Sequence, residues 1–418
     1  MNRRNALKKI AGLSLGTVGL LSGSGLFQLK KAYAAVGKSL IIIFQRGGCD
    51  GINTCIPYGD EHYYSLRPSI AIPPPDNNND NAALDLNGYL GLHPCLSDLH
   101  ALYHSGALAI MPAVHYPSAS FSHFDSQHYI ESAATSKELD GWLNRHLQTF
   151  NQNNVMRAIG IGNGVPQSLR GNIPVSSFFD IESFNLNLAA SEETKILADL
   201  VSIYGQTPHS GAYRELLHTY GNTLINDIAI IQQLDPNNYQ PEHGAIYPQT
   251  RLGKQLKETA YLLKANPSTE VITISTGGWD THSNQGGGET TGHHSRRLKD
   301  FSLSINALYT DLTDQMENVV ILTCTEFGRT AKENASRGTD HGSASTWFAL
   351  GGGIKGGIYG AYPGLSPEQL HRGRYLDFSI DYRNIFGDIL SQHLGNNALA
   401  SVLPNHNYSP IGLFSSTS

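Results

Sequence analysis

The sequence is poor in cysteine and in positive charge, and each shortage excludes a class of protein. Its 418 residues include four cysteines, which are too few and too scattered for a zinc ribbon or a disulfide-rich scaffold. For Cys49 and Cys55, a disulfide and a pair of buried free thiols both stay open. The 29 Lys and Arg residues are outnumbered by 35 Asp and Glu residues. This acidic balance argues against a nucleic acid as the partner.

The first 34 residues have the pattern of an export signal. Basic residues at 3–4 and 8–9 precede an apolar, glycine-rich stretch at 10–27, and Ala-Tyr-Ala at 32–34 fits a cleavage site. The paired arginines indicate twin-arginine (Tat) export, so we expect the Tat translocase as a partner and a periplasmic or secreted mature protein. Cleavage before Ala35 would leave 23 Lys and Arg against 35 Asp and Glu, a formal charge of −12. Only an uncleaved signal would hold the protein in a membrane, because no later segment has ~18 uninterrupted apolar residues.

Strand and helix patterns alternate along the rest of the chain. Short apolar runs rich in β-branched residues predict six buried strands, at 39–44, 108–114, 156–161, 271–276, 319–324 and 346–350. Helical periodicity predicts eight helices, at 95–103, 123–132, 142–150, 194–204, 212–233, 250–264, 294–314 and 382–393. The alternation is typical of a doubly wound α/β fold, with a mostly parallel sheet sandwiched by helices. We expect residues 35–418 to form a single domain with a helical insert at about 190–265.

The loops that follow the predicted strands are rich in acidic residues and histidines. In an open parallel sheet, ligands bind in the loops that leave the carboxyl ends of the strands. Each motif alone is weak, since Asp-Gly, for example, is more often a turn than a ligand. Carboxylates and imidazoles together are the groups that bind divalent metals such as zinc, calcium or magnesium. We therefore predict six metal ligands that meet at one sheet edge: Asp50, Asp280, His282, Glu326, Asp340 and His341.

Residues 120–125, Ser-Phe-Ser-His-Phe-Asp, lie where a predicted strand leads into a predicted helix. A serine at a helix start is well placed to attack or hold an anionic phosphoryl or sulfuryl group, because unpaired backbone N–H groups surround it. Ser122 is the first choice for this nucleophile and Ser120 the alternative. A nearby imidazole or carboxylate would position it or transfer a proton, and an arginine would clamp the group's oxygens. The predicted catalytic residues are Ser122, His123, Asp125, Arg46 and Arg329.

Several of these motifs occur in the same order in a known family. They are Arg-Gly-Gly-Cys-Asp-Gly-Ile-Asn at 46–53, Leu-Arg-Pro at 66–68, Ser-His-Phe-Asp at 122–125, Gly-Gly-Trp-Asp-Thr-His at 277–282, Thr-Glu-Phe-Gly-Arg-Thr at 325–330 and Thr-Asp-His-Gly at 339–342. From about residue 40 to 394 the sequence resembles the exported bacterial family of unknown function DUF1501. That family is grouped with the alkaline phosphatase and sulfatase superfamily. The resemblance implies an α/β/α fold and a metal-dependent hydrolase or, less expected for an exported protein, a phosphomutase, with a hydroxyl nucleophile.

The superfamily pattern also implies roles for individual residues. Asp50 would match the first metal-binding aspartate, Ser122 the nucleophile, and Asp280 with His282 the later metal pair. Glu326 and Phe327 stand where many members have Asp-His, so one expected imidazole is absent, and His341 would replace it. A one-metal site, a different metal and a site that no longer binds metal therefore all stay open.

Two functions follow from the sequence. The favoured one is an exported, metal-dependent hydrolase of the sulfatase or phosphatase type, which cleaves a phosphate or sulfate ester in a small or polymeric anionic substrate. The alternative is an exported binding or accessory protein that kept the fold and lost catalysis. Convergence of the predicted ligands in the folded chain would favour the enzyme.

Overall fold

The computed structural model describes residues 37–414, except 118–119, 135–137, 151–155, 182–189, 205–211, 232–237 and 267. The predicted export signal at 1–34 lies outside the described residues. Among the helices that are described, none has the length and apolar character needed to cross a bilayer.

Twelve strands are described: β1 Ser39–Gln45, β2 Cys55–Ile56, β3 Leu84–Asp85, β4 Gly91–Leu92, β5 Leu108–His115, β6 Ala158–Ile161, β7 Ser176–Phe178, β8 Val271–Thr276, β9 Val319–Cys324, β10 Ser345–Gly351, β11 Gly357–Ile358 and β12 Ile380–Asp381. The α-helices are α1 Glu61–Leu66, α2 Ser97–His104, α3 His123–Ser132, α4 Trp142–Thr149, α5 Ala190–Tyr204, α6 Ala212–Ile231, α7 Arg251–Ala265, α8 His293–Asp311, α9 Tyr382–Asp388 and α10 Leu399–Val402. Helices α5 to α7 lie in the region expected to be a helical insert, and its separation from the rest of the domain stays a prediction.

Nine strands form one sheet in the order β11-β5-β10-β9-β1-β8-β6-β7, and β12 pairs with β5. Strand β1 lies in the middle and pairs in parallel with β8 and β9, so that Ile42 is opposite both Thr273 and Leu322. Strand β6 continues the parallel pairing beyond β8, whereas β10 runs antiparallel to β5 and β9. The mostly parallel sheet predicted from the sequence is therefore confirmed.

Side chains of β1 alternate between two hydrophobic cores, one on each face of the sheet. Ile41 and Ile43 pack with residues of α2, α7 and α8. Leu40, Ile42 and Phe44 pack with residues of α3, α4 and α9. Because successive strand residues point to opposite faces, a strand covered by helices on both sides must be apolar throughout, as β1 is. Helices on both faces confirm the α/β/α class and leave the ends of the central strands as the place for a site.

The four cysteines are free and buried. Of the two outcomes that the sequence left open for Cys49 and Cys55, the structure has the free thiols. Burial raises the pKa of each of these two thiols to about 12, so both stay protonated and unreactive near neutral pH.

Candidate metal centre

Three loops and one helix start bring acidic and imidazole side chains together beside the carboxyl ends of β1, β8 and β9. Asp280 and His282 follow β8, Glu326 follows β9, and Asp340 and His341 precede β10. The start of α3 adds His123. We call the group formed by His123, Asp280, His282 and His341 the imidazole cluster.

The Nε2 atoms of the three histidines all face the Asp280 carboxylate. His282 Nε2 lies 3.0 Å and His341 Nε2 lies 3.5 Å from Asp280 Oδ1. His123 Nε2 lies 3.6 Å from the other oxygen, Oδ2. The His282 and His341 Nε2 atoms are 3.1 Å apart. Ligand atoms of His123, Asp280 and His341 all lie within 4.8 Å of one another.

The Nδ1 atom of each histidine is bonded to an oxygen on the side away from Asp280. His123 Nδ1 lies 2.8 Å from Glu326 Oε1, and His282 Nδ1 lies 3.1 Å from Asp340 Oδ1. His341 Nδ1 lies 2.7 Å from the backbone carbonyl of Phe121. Carbonyl and carboxylate oxygens can only accept, so Nδ1 carries the proton in all three rings. With a proton on Nδ1, each ring directs Nε2 into the cluster, where this atom can bind a cation or carry a second proton.

Nothing in the described residues satisfies all of these Nε2 atoms. His123 Nε2 is buried without a hydrogen-bond partner among those residues. The Nε2 atoms of His282 and His341 face each other at 3.1 Å. Facing lone pairs at this distance repel each other unless a proton or a cation lies between them. The donor set consequently fits a cation.

Neighbouring side chains lower the pKa values of the Asp280 and Glu326 carboxylates and so keep both ionised. Partial burial opposes ionisation of Asp280, but a 2.5 Å contact from the Arg329 guanidinium lowers its pKa below the usual value. Burial likewise opposes ionisation of Glu326, but hydrogen bonds from His123 and Gln127 lower its pKa. In return, the hydrogen bond to Glu326 raises the pKa of His123. The cluster thus has negative charge available to balance a bound cation.

Close packing around the cluster holds these loops in place. Gly47 has φ +122°, and a Cβ there would lie 2.7 Å from the backbone nitrogen of Asp280. Glycine is required because it adopts this backbone conformation and lets the loop after β1 touch the loop after β8. Gly47 N also donates to Glu326 Oε1 at 2.9 Å. The ring of Phe327, 1% exposed, packs against both His123 and His341 with centroids 4.9 Å apart.

Three predicted ligands have other positions or partners, which corrects the sequence-based assignment. Asp50 is 0% exposed and accepts two hydrogen bonds from Arg67, so a buried cation already neutralises it away from the cluster. Glu326 is 0% exposed and bonds to the far nitrogen of His123. Asp340 does the same for His282. Both carboxylates orient a candidate ligand, as the outer partners of metal-bound histidines do.

The predicted catalytic arginines are also engaged in other contacts. Arg46 pairs with Glu131 through contacts of 3.0 and 3.1 Å and lies beside the cluster. Arg329 is 0% exposed, and besides Asp280 it donates to the carbonyls of Gly48, Trp279 and Thr339. Its place is behind Asp280, where it orients the carboxylate and does not face a substrate. Burial makes Arg329 unsuited to the predicted oxygen clamp, and for Arg46 the clamp stays a prediction.

The remaining predicted residues surround the start of α3. Ser122 is the N-cap of α3, is half-buried, and makes no capping hydrogen bond with its hydroxyl. It lies between Phe121, whose carbonyl orients His341, and His123. Asp125 accepts a 3.4 Å hydrogen bond from Ser120. The cluster and the candidate nucleophile therefore share one short segment of chain.

Sequence reasoning missed two roles. His123 was expected to position the nucleophile or transfer a proton, and its place among the candidate ligands comes from the fold, which turns the start of α3 toward the ends of β8 and β9. Gln127, one turn later on α3, donates to Glu326 at 2.9 Å. Its spacing of four residues from His123 puts both on one face of α3, and this was the signal available in the sequence.

Solved structures with which the chain shares structural similarity include three hydrolases. A variant of the alkaline phosphatase PafA is 9% identical, with a TM-score of 0.32 over 71% of this chain and 64% of that chain. A phosphonate monoester hydrolase of Agrobacterium radiobacter is 9% identical, with a TM-score of 0.34 over 89% and 78% of the two chains. A sulfatase from Pseudoalteromonas sp. is 9% identical, with a TM-score of 0.32 over 85% and 68%. The chain thus spans less than two thirds of the PafA structure.

At the level of sequence, no curated protein matches the chain. Residues 262–401 match the model of the family described as "Protein of unknown function (DUF1501)". This segment contains the motifs of Asp280, Glu326 and His341, whereas the earlier motifs lie outside the match. The resemblance to the DUF1501 family that the motifs indicated is confirmed for residues 262–401.

Proposed function

We propose that the protein is a metal-dependent hydrolase that cleaves phosphate or sulfate esters and works outside the cytoplasm. The observation that carries this proposal is the convergence of three Nε2 atoms on Asp280, with each Nδ1 held by an oxygen. Histidines held in this way by carboxylates or carbonyls are typical of metal ligands. The export part of the proposal rests on the twin-arginine motif alone.

The donor spacing fits a small ion such as zinc. Bonds of about 2.0–2.1 Å in a tetrahedral site put neighbouring ligand atoms about 3.3 Å apart. The separations from His282 to Asp280 and to His341 are 3.0 and 3.1 Å, and His341 lies 3.5 Å from Asp280. The group whose ligand atoms all lie within 4.8 Å of one another, His123, Asp280 and His341, also supplies the nitrogen and oxygen ligands that zinc prefers over calcium or magnesium.

The cluster is also open enough for catalysis. Asp280 and His282 are each 45% exposed, so an ester group can approach from solvent. A closed structural metal site would instead be surrounded by protein. The bound metal would act as a Lewis acid on the ester oxygens and lower the pKa of a nearby hydroxyl.

Ser122 is the candidate nucleophile. Its hydroxyl attacks phosphorus or sulfur and loses its proton, and the alcohol leaves with a proton, so that a serine ester is formed. Water then cleaves this ester, releases phosphate or sulfate, and restores the hydroxyl. The N–H groups at the start of α3 and the helix dipole stabilise negative charge at this position. Arg329 and Glu326 keep Asp280 and His123 in place throughout.

The test combines metal analysis with turnover of p-nitrophenyl phosphate and p-nitrophenyl sulfate. The full chain, purified after expression in metal-replete medium, is compared with Asp280→Ala, His341→Ala and Ser122→Ala. The matched control is His293→Ala, which removes an exposed histidine outside the cluster. We expect near-stoichiometric metal in the parent, Ser122→Ala and the control, and its loss in the other two variants. Turnover should survive only in the parent and His293→Ala.

Two outcomes separate the proposal from its alternative. A parent protein without metal contradicts the hydrolase. Stoichiometric metal with no turnover of either ester would instead favour the exported binding protein that lost catalysis.

A further inference from the structure

A cavity of about 820 Å³ lies beside the imidazole cluster. Its wall is formed by the carboxyl ends of β6 and β8, by α3, by the N-terminus of α7 and by α8. Pockets that hold organic molecules measure roughly 300–1,000 Å³, so this one is far larger than an inorganic phosphate or sulfate needs. Its position at the strand ends is where open α/β sheets bind ligands.

The cavity and the cluster share structural elements. Gln127 lines the cavity, accepts from Arg46 Nη1 at 2.9 Å, and donates to Glu326, the carboxylate that orients His123. Gly277 also lines the cavity, three residues before Asp280. Gln127 and Gly277 thus place the cavity next to the elements that hold the cluster, although none of the four cluster residues lines the cavity.

Positive charge is concentrated in the wall of this cavity. Four arginines and two acidic residues line it, although the whole chain has a formal charge of −6. Arg46 is neutralised by Glu131. The others are Arg170, Arg251 and Arg297, and all three are exposed. With Asp300 as the remaining acid, the wall keeps an excess of positive charge, to which the N-terminus of α7 adds a partial charge. The wall thus favours a negatively charged ligand.

Two buried polar atoms in the wall need hydrogen-bond partners. Thr273 is 6% exposed and Gln255 is 3% exposed, and both line the cavity. Thr273 Oγ1 and Gln255 Oε1 make no hydrogen bond within the described part of the chain. An amide oxygen can only accept, so the group that satisfies Gln255 must carry an O–H or N–H. At the mouth, Phe124 is 89% exposed and offers an apolar face.

We propose that this cavity binds the organic part of the substrate and that this part is a sugar acid, a hydroxyl-rich ring with a carboxylate. Hydroxyls of the ring hydrogen-bond to Thr273 and Gln255, the carboxylate pairs with Arg297, and the ring packs on Phe124. The assignment rests on the proposed hydrolase only in placing the ester group at the imidazole cluster. Binding in the cavity itself needs no metal.

The test is calorimetric binding of glucuronic acid, which has the proposed chemistry but no ester to cleave. Glucose lacks the charge and sodium sulfate lacks the hydroxyls, so both serve as comparison ligands. We expect glucuronic acid to bind at least tenfold more tightly than either. Thr273→Val and Arg297→Gln should each weaken glucuronic acid binding about tenfold, by removing a hydroxyl contact or a charge-assisted hydrogen bond.

Arg296→Gln is the matched control for Arg297→Gln. Arg296 is the neighbouring exposed arginine on α8, donates to the Thr291 carbonyl, and does not line the cavity. We expect it to bind glucuronic acid as the parent does, and unfolding midpoints verify that all variants are folded. Equal binding of glucuronic acid, glucose and sulfate overturns the proposal, as does unchanged affinity in both Thr273→Val and Arg297→Gln.

One further variant separates this proposal from the hydrolase. Asp280→Ala removes the centre of the cluster and should keep its affinity for glucuronic acid. If the parent lacks metal and turnover but binds glucuronic acid as described, the hydrolase fails and the cavity assignment stands. If the parent hydrolyses the p-nitrophenyl esters without binding glucuronic acid, the cavity assignment fails alone.

Discussion

Two aspartates follow neighbouring strands of the sheet, β1 and β8, and each accepts hydrogen bonds from an arginine that is 0% exposed. Asp50 is itself 0% exposed, and Arg67 and Gln285 occupy both of its oxygens. Asp280 is 45% exposed, and imidazole nitrogens face both of its oxygens. A neutralised carboxylate in the interior contributes to structure, whereas a partly exposed one with lone pairs around it can take a cation. Asp50 and Asp280 therefore differ in the side chains that contact them, and not in residue type or in their position after a strand.

The largest effect that tests this comparison is expected at Asp50. Asp50→Ala leaves the Arg67 guanidinium buried without a counter-charge, which costs about 3–5 kcal/mol of unfolding free energy. Asp280→Ala, the control, should cost less than about 1 kcal/mol, because Asp280 is 45% exposed, so water can replace it, and Arg329 keeps four carbonyl acceptors. Urea unfolding of the metal-free proteins measures both values. Similar losses in the two variants would break the comparison.

A third carboxylate sharpens the comparison because it is buried and forms no ion pair with any residue that the structure describes. Asp227 on α6 is 3% exposed and accepts a hydrogen bond from Ser176, and burial raises its pKa to about 6. A pKa raised in the folded state means that stability is lost as the pH rises from about 4 to about 6. Asp227→Asn should therefore raise the unfolding free energy at pH 7.5 by roughly 2 kcal/mol and leave it unchanged at pH 3.5. Unfolding curves at both pH values test this, and an equal gain at both would contradict it.

The smallest effect is expected for Glu326, the carboxylate that bonds to Nδ1 of His123. Glu326→Gln keeps the shape of the side chain but removes the charge that orients His123. Loss of such an outer partner typically weakens metal affinity about 10-fold to 100-fold, and we expect the lower end because a glutamine oxygen can still accept from Nδ1. Competition with a chromophoric chelator measures the affinity. An unchanged value would mean that His123 is not a ligand.

Apolar runs predicted the sheet well because each central strand is buried on both faces. The strands at Val271–Thr276 and Val319–Cys324 and the helix at His123–Ser132 have the predicted bounds. An apolar run does not show the direction of a strand, so the antiparallel β10 could not be distinguished from the parallel strands of the sheet. The two-residue strands, such as β11 and β12, are too short to show any periodicity.

The candidate site was harder to predict because side-chain partners decide it. The rule that ligands follow the carboxyl end of a strand selected Asp280 and His282, which lie in the imidazole cluster. The same rule selected Asp50, which lies outside it. The arginine that neutralises Asp50 lies 17 residues further along the chain, and no spacing rule links the two. His123 shows the converse: a residue read as a helper of the nucleophile faces Asp280 because helix and strand ends meet in space.

Phe327 stands where the superfamily pattern led us to expect an imidazole, and its ring packs against the rings of His123 and His341. An aromatic ring held in the core is rigid, so it fixes how far these two imidazoles can spread. In the proposed metal site, the size of ion that the cluster accommodates would then be set by an apolar side chain that offers no ligand. Selectivity by ionic radius thus becomes a property of core packing, and it can change without the replacement of any coordinating residue.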